Sequence, residues 1–290
     1  MCQGSGVRCG KAAAGDPATG ARALVIAGTD QHLSGWEVPV DSAFRKRCCA
    51  FKRKRGAVWK KLMCFCQGGV KATPALVKSL VDSSFFASVA YESMDTGFDG
   101  VRPAPIPFTT GYSLAMDGAV ARNLVEVARA SSLEGKEGIL AAWGTAWPML
   151  DNIVESRASA IKWLTDNPLV NRTSVSRDQF HTVLSQKKFI LSPTGGGIQS
   201  PKNWEAFLVN TIPIVQREPA YVGLAQLGFP LALVEEWEEV TQERMDRWWI
   251  ELSPKLEQAK WMFLKEIWWA FVTHPCPITS VAEFLDEIKR

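Results

Sequence analysis

The alternation of short apolar runs with helical stretches constrains the fold of this chain more than any other feature. Three such runs, at 188–191, 212–215 and 231–234, are separated by segments that carry helix signals. A short apolar run bounded by turn residues is typical of a strand buried on both faces, as in a parallel sheet. Parallel strands need long crossover connections, which are usually helices. The sequence therefore predicts an α/β fold, with Rossmann-like parallel sheets covered by helices.

The same alternation begins near the amino terminus. Predicted strands lie at 22–27, 61–67, 85–91 and 138–144, and predicted helices at 74–82, 113–132, 148–166 and 178–186. The proline-rich segment 102–108 interrupts the pattern, because each proline removes a backbone donor and fixes φ. We therefore predict a flexible leader over 1–20, a short amino-terminal α/β portion over 21–107 and a carboxyl-terminal α/β portion over 108–290.

The carboxyl-terminal region is predicted to be helical. Ser253 and Pro254 open one long helix, and a capping box formed by Ser280 and Glu283 opens the final one. An apolar stripe with helical spacing runs along the long helix and comprises Trp261, Leu264, Ile267, Trp268 and Phe271. The stripe favours packing in the core or between domains, and contact with a partner or a membrane surface is the alternative.

The charge distribution argues against nucleic acid as a partner. The 290-residue chain has a formal net charge of only +3, and much of its excess of cations lies in a basic run at 45–61. A solvated helix face or loop is the simplest interpretation of this run; a targeting signal, a contact with acidic lipids and a site for anionic donors are the alternatives. An apolar stretch of about 18 residues is absent, so no transmembrane segment is predicted.

The cysteines do not predict a disulfide scaffold or a metal site. There are seven, an odd number, without the regular spacing of small secreted domains. Cys64 and Cys66 alternate within a predicted strand, and structural zinc sites usually use CxxC pairs instead. We predict no metal, and the redox compartment remains open.

The segment that follows residue 191 has the outline of an anion site. Gly195, Gly196 and Gly197 form a turn in which backbone amides can approach a ligand closely. Ser200 is the predicted N-cap of the next helix and Pro201 its first residue. The unpaired amides and partial positive charge at that helix start would stabilise a phosphate. A glycine turn without a ligand is the alternative that spacing alone leaves open.

Two side chains of the predicted helix fit a nucleoside diphosphate. Lys202, in the first turn, adds a full positive charge near the phosphates, and Glu205, one turn further, can accept hydrogen bonds from ribose hydroxyls. Other phosphate motifs fit less well, because the chain has no GxxxxGK[ST] and the glycine turn lacks the third glycine of GxGxxG.

The residues from Ser192 to Thr241 resemble the carboxyl-terminal segment of exostosin-like glycosyltransferases. That family combines SPxGxG, an Asp, an Arg, WEAL, IPIV and a late DDWxE[IV]T element in this order; here the sequence reads SPTGGGIQSPKNWEAF, then IPIV, then EEWEEVT. Weaker similarities precede it: AGTD at 27–30, the strand and proline-rich turn at 85–108, and the basic residues Arg157, Arg172 and Arg177.

The resemblance implies a GT-B arrangement of two Rossmann-like lobes, whose carboxyl-terminal lobe binds a nucleotide sugar, most commonly a UDP-sugar. Glu205 would bind the donor ribose, while Lys202 and the amides of 194–198 would hold the diphosphate. Ser192, Thr194, Arg157 and Arg177 complete the implied donor site. The acceptor would be a glycan or glycoprotein, with no cofactor required beyond the donor. The family also suggests the Golgi or secretory pathway, although this chain shows no signal or anchor.

Several positions depart from the family pattern. Gln199 stands where the pattern has an acidic residue. Lys202 stands where it has arginine, whose guanidinium would bind a diphosphate through two parallel hydrogen bonds.

The candidates for a general base are Asp30 and His32, which follow the first strand, although an Asp there can instead cap the next element. His181 and His274 have no visible partners and are predicted to be structural or exposed.

These departures leave two other functions open. One is a non-catalytic relative that retains the fold and a weak nucleotide site. The other is an interaction module that uses the basic run and the Trp-rich helix.

Overall fold

The fold is known from a computed structural model. It describes residues 23–26, 88–92, 100–106, 118–143, 151–167, 173–194, 198–274 and 276–289, together with Lys78, Asp82, Met94, Leu169 and Val170. The leader 1–20, the basic run, the strand predicted at 61–67, the candidate bases Asp30 and His32, the turn Gly195, Gly196 and Gly197, and Arg172 lie outside the described residues.

A first parallel sheet forms the amino-terminal portion. It contains β1 (Ala23–Ile26), β2 (Ser88–Tyr91) and β3 (Val101–Pro103) in the order β1-β2-β3. Leu24 is in register with Val89, and Ala90 with Arg102. The proline-rich segment contributes only the short strand β3, which lies at the edge of the described sheet, where a strand tolerates a proline.

A second parallel sheet forms the carboxyl-terminal portion. Its strands are β4 (Ile139–Leu140), β5 (Phe189–Leu191), β6 (Ile212–Gln216) and β7 (Ala232–Val234), in the order β4-β5-β6-β7. All neighbouring pairs are parallel. Two parallel sheets, with helices between the strands of the second, confirm the predicted α/β class.

Pro213 lies in β6, which is paired on both sides. Ile212 N donates to Lys188 O at 2.9 Å, so the residues of β6 in this phase bond to β5. Residues of the other phase face β7, as shown by Arg217 N, which donates to Val234 O at 2.8 Å. Pro213 also faces β7, but it lies before Ile214, where the pairing of β6 with β7 begins. The N–H that Pro213 lacks would therefore have had no partner strand to bond.

Alternation along the strands divides the core of the second sheet between two faces. Ile139, Phe189 and Leu191 join the larger apolar cluster, which includes side chains of the carboxyl-terminal helices. Leu140 and Ile190 point to the opposite face and join a smaller cluster. Successive side chains of a strand face opposite sides, so apolar residues at every position need helices on both faces.

The helices that cover the sheets match most of the predicted positions. They are α1 (Ala119–Ala130), α2 (Asp151–Asp166), α3 (Phe180–Ser185), α4 (Pro201–Leu208), α5 (Pro219–Gln226), α6 (Gln242–Leu252), α7 (Leu256–Trp261), α8 (Lys265–Thr273) and α9 (Val281–Ile288). Lys78 and Asp82 are also helical.

Helix α1, which lies within the helix predicted at 113–132, buries only part of its apolar surface. Val120 and Leu124 are buried, but Val125 is 48% exposed. Gly118 precedes α1 and has φ of +76°, a conformation that favours glycine, so it starts the helix and does not interrupt it.

The prediction of one long helix from Ser253 is wrong. A 3-10 turn (Ser253–Lys255), α7 and α8 replace it, and the chain bends between α7 and α8. Leu264 N donates to Trp261 O at 3.1 Å, an i to i−3 bond that tightens the end of α7. Ser280, in contrast, caps α9 as predicted, because its Oγ accepts from Glu283 N at 3.2 Å.

The bend splits the Trp-rich stripe. Phe271 is fully buried and Trp268 is half-buried, whereas Trp261 and Leu264 are 45% and 46% exposed. Phe271 and Trp268 thus fulfil the packing role that the spacing predicts, and the residues before the bend do not.

The bend also lets α8 return to the first sheet. Arg102 of β3 donates to three carbonyls at the end of α8, those of Phe271, His274 at 3.0 Å and Cys276 at 2.7 Å. Ser88 Oγ donates to Val272 O at 3.1 Å. Burial lowers the pKa of Arg102 to about 10, so the guanidinium remains charged at neutral pH. The cation compensates the unpaired carbonyls and negative dipole of the helix end.

Close packing also joins α5 to β3. A Cβ on Gly223 would lie 2.8 Å from Cγ of Pro103, nearer than real Cβ atoms approach. We expect Gly223→Val to lower the free energy of unfolding by about 1–3 kcal/mol through overpacking, although valine is the better helix former. Urea denaturation measures this change, with Gln226→Val at the exposed end of α5 as the control. Equal stability of the two variants would contradict the close contact.

Candidate functional site

The residues predicted to bind a ligand converge where three strands of the second sheet end. Trp143 follows β4, Ser192 and Thr194 follow β5, and Gln216 ends β6. The carboxyl ends of parallel strands are where open α/β sheets bind ligands. The start of α4 faces the same edge, because α4 follows β5 after a short turn.

The start of α4 follows the predicted geometry except in one respect. Ser200 has the extended backbone of an N-cap, with φ of −118° and ψ of 134°, and Pro201 is the first helical residue. The Ser200 side chain, however, makes no capping hydrogen bond. Pro201 has no N–H, and Asn203 N donates to Ser200 O at 3.0 Å. The amide of Lys202, which has no acceptor among the described residues, is therefore the first-turn donor left for an anion.

Two cations lie beside this helix start. Lys202, half-buried in the first turn of α4, has its Nζ 5.7 Å from the ring centroid of Trp143. Its pKa is lowered to about 7, first because burial disfavours the charge and second because Arg157 repels it, while Glu205 partly offsets both effects. Like charges held close together and partly desolvated favour an anion between them.

Helix α2 positions Arg157 and holds the loop after β5. Arg157 Nε donates to Thr194 O at 3.3 Å, and Thr194 N donates to Ser156 Oγ at 3.1 Å. Ser156 Oγ in turn donates to Gln216 Oε1 at 2.6 Å. This chain of bonds fixes the loop against the ends of two strands and places Arg157 in contact with Thr194.

The segment EEWEEVT at 235–241, which we name the late acidic element, also packs against α2. Trp237 is 1% exposed and donates from Nε1 to Ser159 Oγ at 3.2 Å. Glu239 accepts from the backbone amides of Glu235 and Glu236 and from Arg244. The amide of Glu236 and then Arg244 hold the pKa of Glu239 below its usual value. This element therefore stabilises the helix that carries Arg157.

Glu205 lies one turn into α4 and is paired with a histidine. Its Oε2 is 3.0 Å from Nε2 of His181 on α3, and the two side chains are 3% and 1% exposed. The sequence shows no partner for His181, and the structure places it in the interior against Glu205. His274 is half-buried and also has partners, since its Nε2 is 3.5 Å from Glu287 Oε1.

Ser192, directly after β5, carries a polar atom without a partner. The residue is 2% exposed, and its Oγ forms no hydrogen bond with any residue that the structure describes. Its backbone N donates to Ile214 O at 2.9 Å, so the residue is held by the sheet. A buried hydroxyl without a partner costs free energy unless a ligand or water supplies one.

Gln199 forms three hydrogen bonds that connect the two sheets. Its Nε2 donates to Glu92 O and to Ala104 O, the latter at 2.8 Å, and its Oε1 accepts from Ile106 N at 3.2 Å. These groups follow β2 and β3. Gln199 thus ties the start of α4 to the first sheet, and we name its three bonds the Gln199 bracket.

The structure brings together five of the predicted site residues: Ser192, Thr194, Arg157, Lys202 and Glu205. Arg177 is exposed in a turn before α3, where Gln179 N donates to Ser176 O at 3.2 Å, and its donor contact stays a prediction. Sequence reasoning missed His181, Ser156 and Gln216. For Ser156 the sequence offers one indication, its position next to Arg157. For His181 and Gln216 it offers none, because their partners are distant in sequence.

Three further properties of the described part of the chain bear on where a ligand could bind: its cavities, the length of its apolar helices and the placement of its metal-ligating side chains. A cavity of about 250 Å³ opens at the opposite end of the sheet, lined by Gly138, Phe189 and Met245. Among the residues placed by the structure, no helix is long and apolar enough to cross a membrane, and no cluster of metal-ligating side chains occurs.

Comparisons with known proteins identify no family for this chain. No protein-family model matches the chain, and no curated protein matches it. One similar solved structure is WaaG, a glycosyltransferase involved in lipopolysaccharide biosynthesis, with a TM-score of 0.31 and 10% sequence identity. The match covers 89% of this chain and 79% of that one. The chain is an α/β protein, and the part that the structure describes contains two parallel sheets.

Proposed function

We propose that this protein transfers a sugar from a nucleotide-sugar donor, a UDP-sugar, to a hydroxyl of a glycan or glycoprotein acceptor. The observation that carries the proposal is the start of α4, which presents the backbone amide and the side chain of Lys202, together with Glu205, beside Arg157. The order of motifs from Ser192 to Thr241, which includes this helix start, supports the same function.

The spacing along α4 matches the layout of a nucleoside diphosphate. Lys202 and Glu205 are three residues apart, so they lie on one face, separated by about 4.5 Å along the helix axis. The diphosphate would lie against the first turn, where the amide and side chain of Lys202 and the side chain of Arg157 are positive. The ribose, which is joined to the diphosphate, would then reach the carboxylate of Glu205.

These groups would lower the barrier to glycosyl transfer by stabilising the leaving group. The bond between the anomeric carbon and the diphosphate oxygen breaks, the acceptor oxygen forms the new bond and its proton leaves. Negative charge develops on the diphosphate, where Lys202, Arg157 and the helix dipole are fixed in advance. Asp30 and His32 remain the predicted candidates for taking the acceptor proton.

Calorimetric titration with UDP, UDP-sugars and GDP-sugars tests the donor site. We expect Glu205→Ala and Lys202→Ala each to weaken UDP-sugar binding about tenfold to a hundredfold, since a hydrogen bond to a charged group contributes roughly 1.5–3 kcal/mol. Lys265→Ala and Glu266→Ala, at exposed positions of α8, are the matched controls. Absence of binding to any of these nucleotides would overturn the proposed function.

A protein that binds the donor without turnover is the second candidate. The Gln199 bracket favours it, because the position that is acidic in the family pattern is here committed to three structural bonds. Incubation with UDP-sugars and mixed glycan acceptors distinguishes the two functions. Release of UDP that depends on both Lys202 and an acceptor supports the transferase, whereas tight binding without release supports the second candidate.

A further inference from the structure

We propose that His181 is a positioning residue that holds Glu205 in the orientation that binds the ribose. His181 thereby sets the preference of the protein for a ribonucleotide over a 2′-deoxyribonucleotide. This inference rests on the proposed function, because it concerns the same donor site. His181 lies outside the motifs that carry the family resemblance, among them the glycine turn and the late acidic element.

The geometry of the pair defines what the histidine does. The Nε2 atom of His181 is 3.0 Å from Oε2 of Glu205. An ionised carboxylate only accepts hydrogen bonds, so Nε2 carries the proton in this contact. Oε2 is thereby occupied, whereas Oε1 accepts no hydrogen bond from any residue that the structure describes. Oε1 is thus the oxygen left for the ribose hydroxyls.

The histidine itself is held firmly. Its side chain is 1% exposed, and its ring contacts Phe180 edge to face with centroids 5.4 Å apart. Helix α3, which carries both rings, packs between α1 and α4. A side chain fixed in this way restricts the rotamers of Glu205, so the carboxylate loses little further entropy when a ligand binds.

The cost of the pair indicates a role beyond packing. Burying a carboxylate and an imidazole is expensive, and apolar residues of similar volume often replace such pairs without loss of stability. His181 Nδ1 adds to the cost, since it is buried without a partner among the described residues. The carboxylate of Glu205 is buried despite this cost and lies one turn from the amino-terminal end of α4, where an anion would bind. This position suits a ligand that carries vicinal hydroxyls beside a phosphate.

Titration of variants with UDP, 2′-deoxy-UDP and inorganic pyrophosphate tests this inference. His181→Phe retains the ring and loses the donor, and His181→Gln retains a donor near the position of Nε2. We expect His181→Phe to weaken UDP binding about tenfold and to bring the UDP to 2′-deoxy-UDP affinity ratio close to one, as Glu205→Gln does. Pyrophosphate affinity should stay within about twofold of the wild type, and His181→Gln should restore most of the ratio.

The outcomes separate this inference from the proposed function. A wild type that does not bind UDP overturns the proposed function itself. If the wild type binds UDP, and Glu205→Gln loses the ratio while His181→Phe keeps it, the pair is only structural and the inference fails. Equal losses of UDP and pyrophosphate affinity in His181→Phe also overturn it.

A double variant keeps the test decisive if His181→Phe does not fold. His181→Phe combined with Glu205→Gln buries no unpaired carboxylate, and circular dichroism confirms that it is folded. If His181 acts only through Glu205, the double variant binds UDP as Glu205→Gln does. A further loss in the double variant would show that His181 acts by another route.

Discussion

Replacing Gln199 by glutamate should lower the free energy of unfolding by about 3–5 kcal/mol, although an acidic residue is the family pattern at this position. Gln199 is 3% exposed, and its amide group donates to the carbonyls of Glu92 and Ala104. A carboxylate has no proton to donate, so it would face two carbonyl oxygens in a buried place. Both carbonyls would lose a partner, and the new charge would be unpaired.

Urea denaturation of the full chain measures this effect. Gln226→Glu is the matched control, because it makes the same chemical change at an exposed position of α5 and should alter stability by less than about 0.5 kcal/mol. If Gln199→Glu is as stable as this control, the bracket does not join the two sheets and Gln199 is free for another role.

The bracket also shows what the departure from the family pattern means. Gln199 directly precedes the helix start that carries Ser200, Pro201 and Lys202, so its bonds fix the position of that start relative to the first sheet. Tyr221 adds to this restraint, because its hydroxyl donates to Ile198 O at 2.8 Å and accepts from Asn203 Nδ2 at 2.7 Å. A glutamine at this position therefore makes the helix start at the proposed donor site more rigid.

The sequence predicted the elements around the site because their signals are local. The apolar runs that became β5, β6 and β7 are bounded by turn residues, and Pro201 marks the first residue of α4. Ser280 caps α9 for the same reason. Such features depend on residues within one or two turns of each other, so a pattern in the chain is sufficient to find them.

The contacts that define the site could not be predicted in this way. His181 and Glu205 are 24 residues apart, and Gln199 and Glu92 are 107 apart. These pairs meet only because helices pack on sheets, and no periodicity records that geometry. The bend before α8 is a similar case, since the apolar stripe continues through it and only packing against the first sheet requires the chain to turn.

Affinity for a UDP-sugar should fall as pH rises above about 7, because Lys202 then loses its proton. Burial and the charge of Arg157 lower the pKa of Lys202 to about 7. A bound diphosphate stabilises the charged form, so it raises that pKa, and above pH 7 binding must take up a proton. We expect binding to weaken about tenfold or more between about pH 6.5 and 8.5, with little change at lower pH.

The same pKa shift acts on stability with the opposite sign, which separates loss of binding from unfolding. The pKa of Lys202 is lower in the folded protein than in the unfolded chain, so between about pH 7 and 10 the unfolded chain binds more protons. The contribution of Lys202 to the free energy of unfolding therefore rises with pH in this window, while UDP-sugar affinity falls.

Titration calorimetry in buffers of different ionisation enthalpy measures both the affinity and the proton uptake, and two substitutions identify the group. Lys202→Arg carries a permanent charge and the family residue, so it should bind the UDP-sugar with no pH slope in this range. Lys202→Met should also lose the slope but bind weakly at every pH. A slope that persists in both variants belongs to another group and would contradict the assignment of Lys202 to the diphosphate.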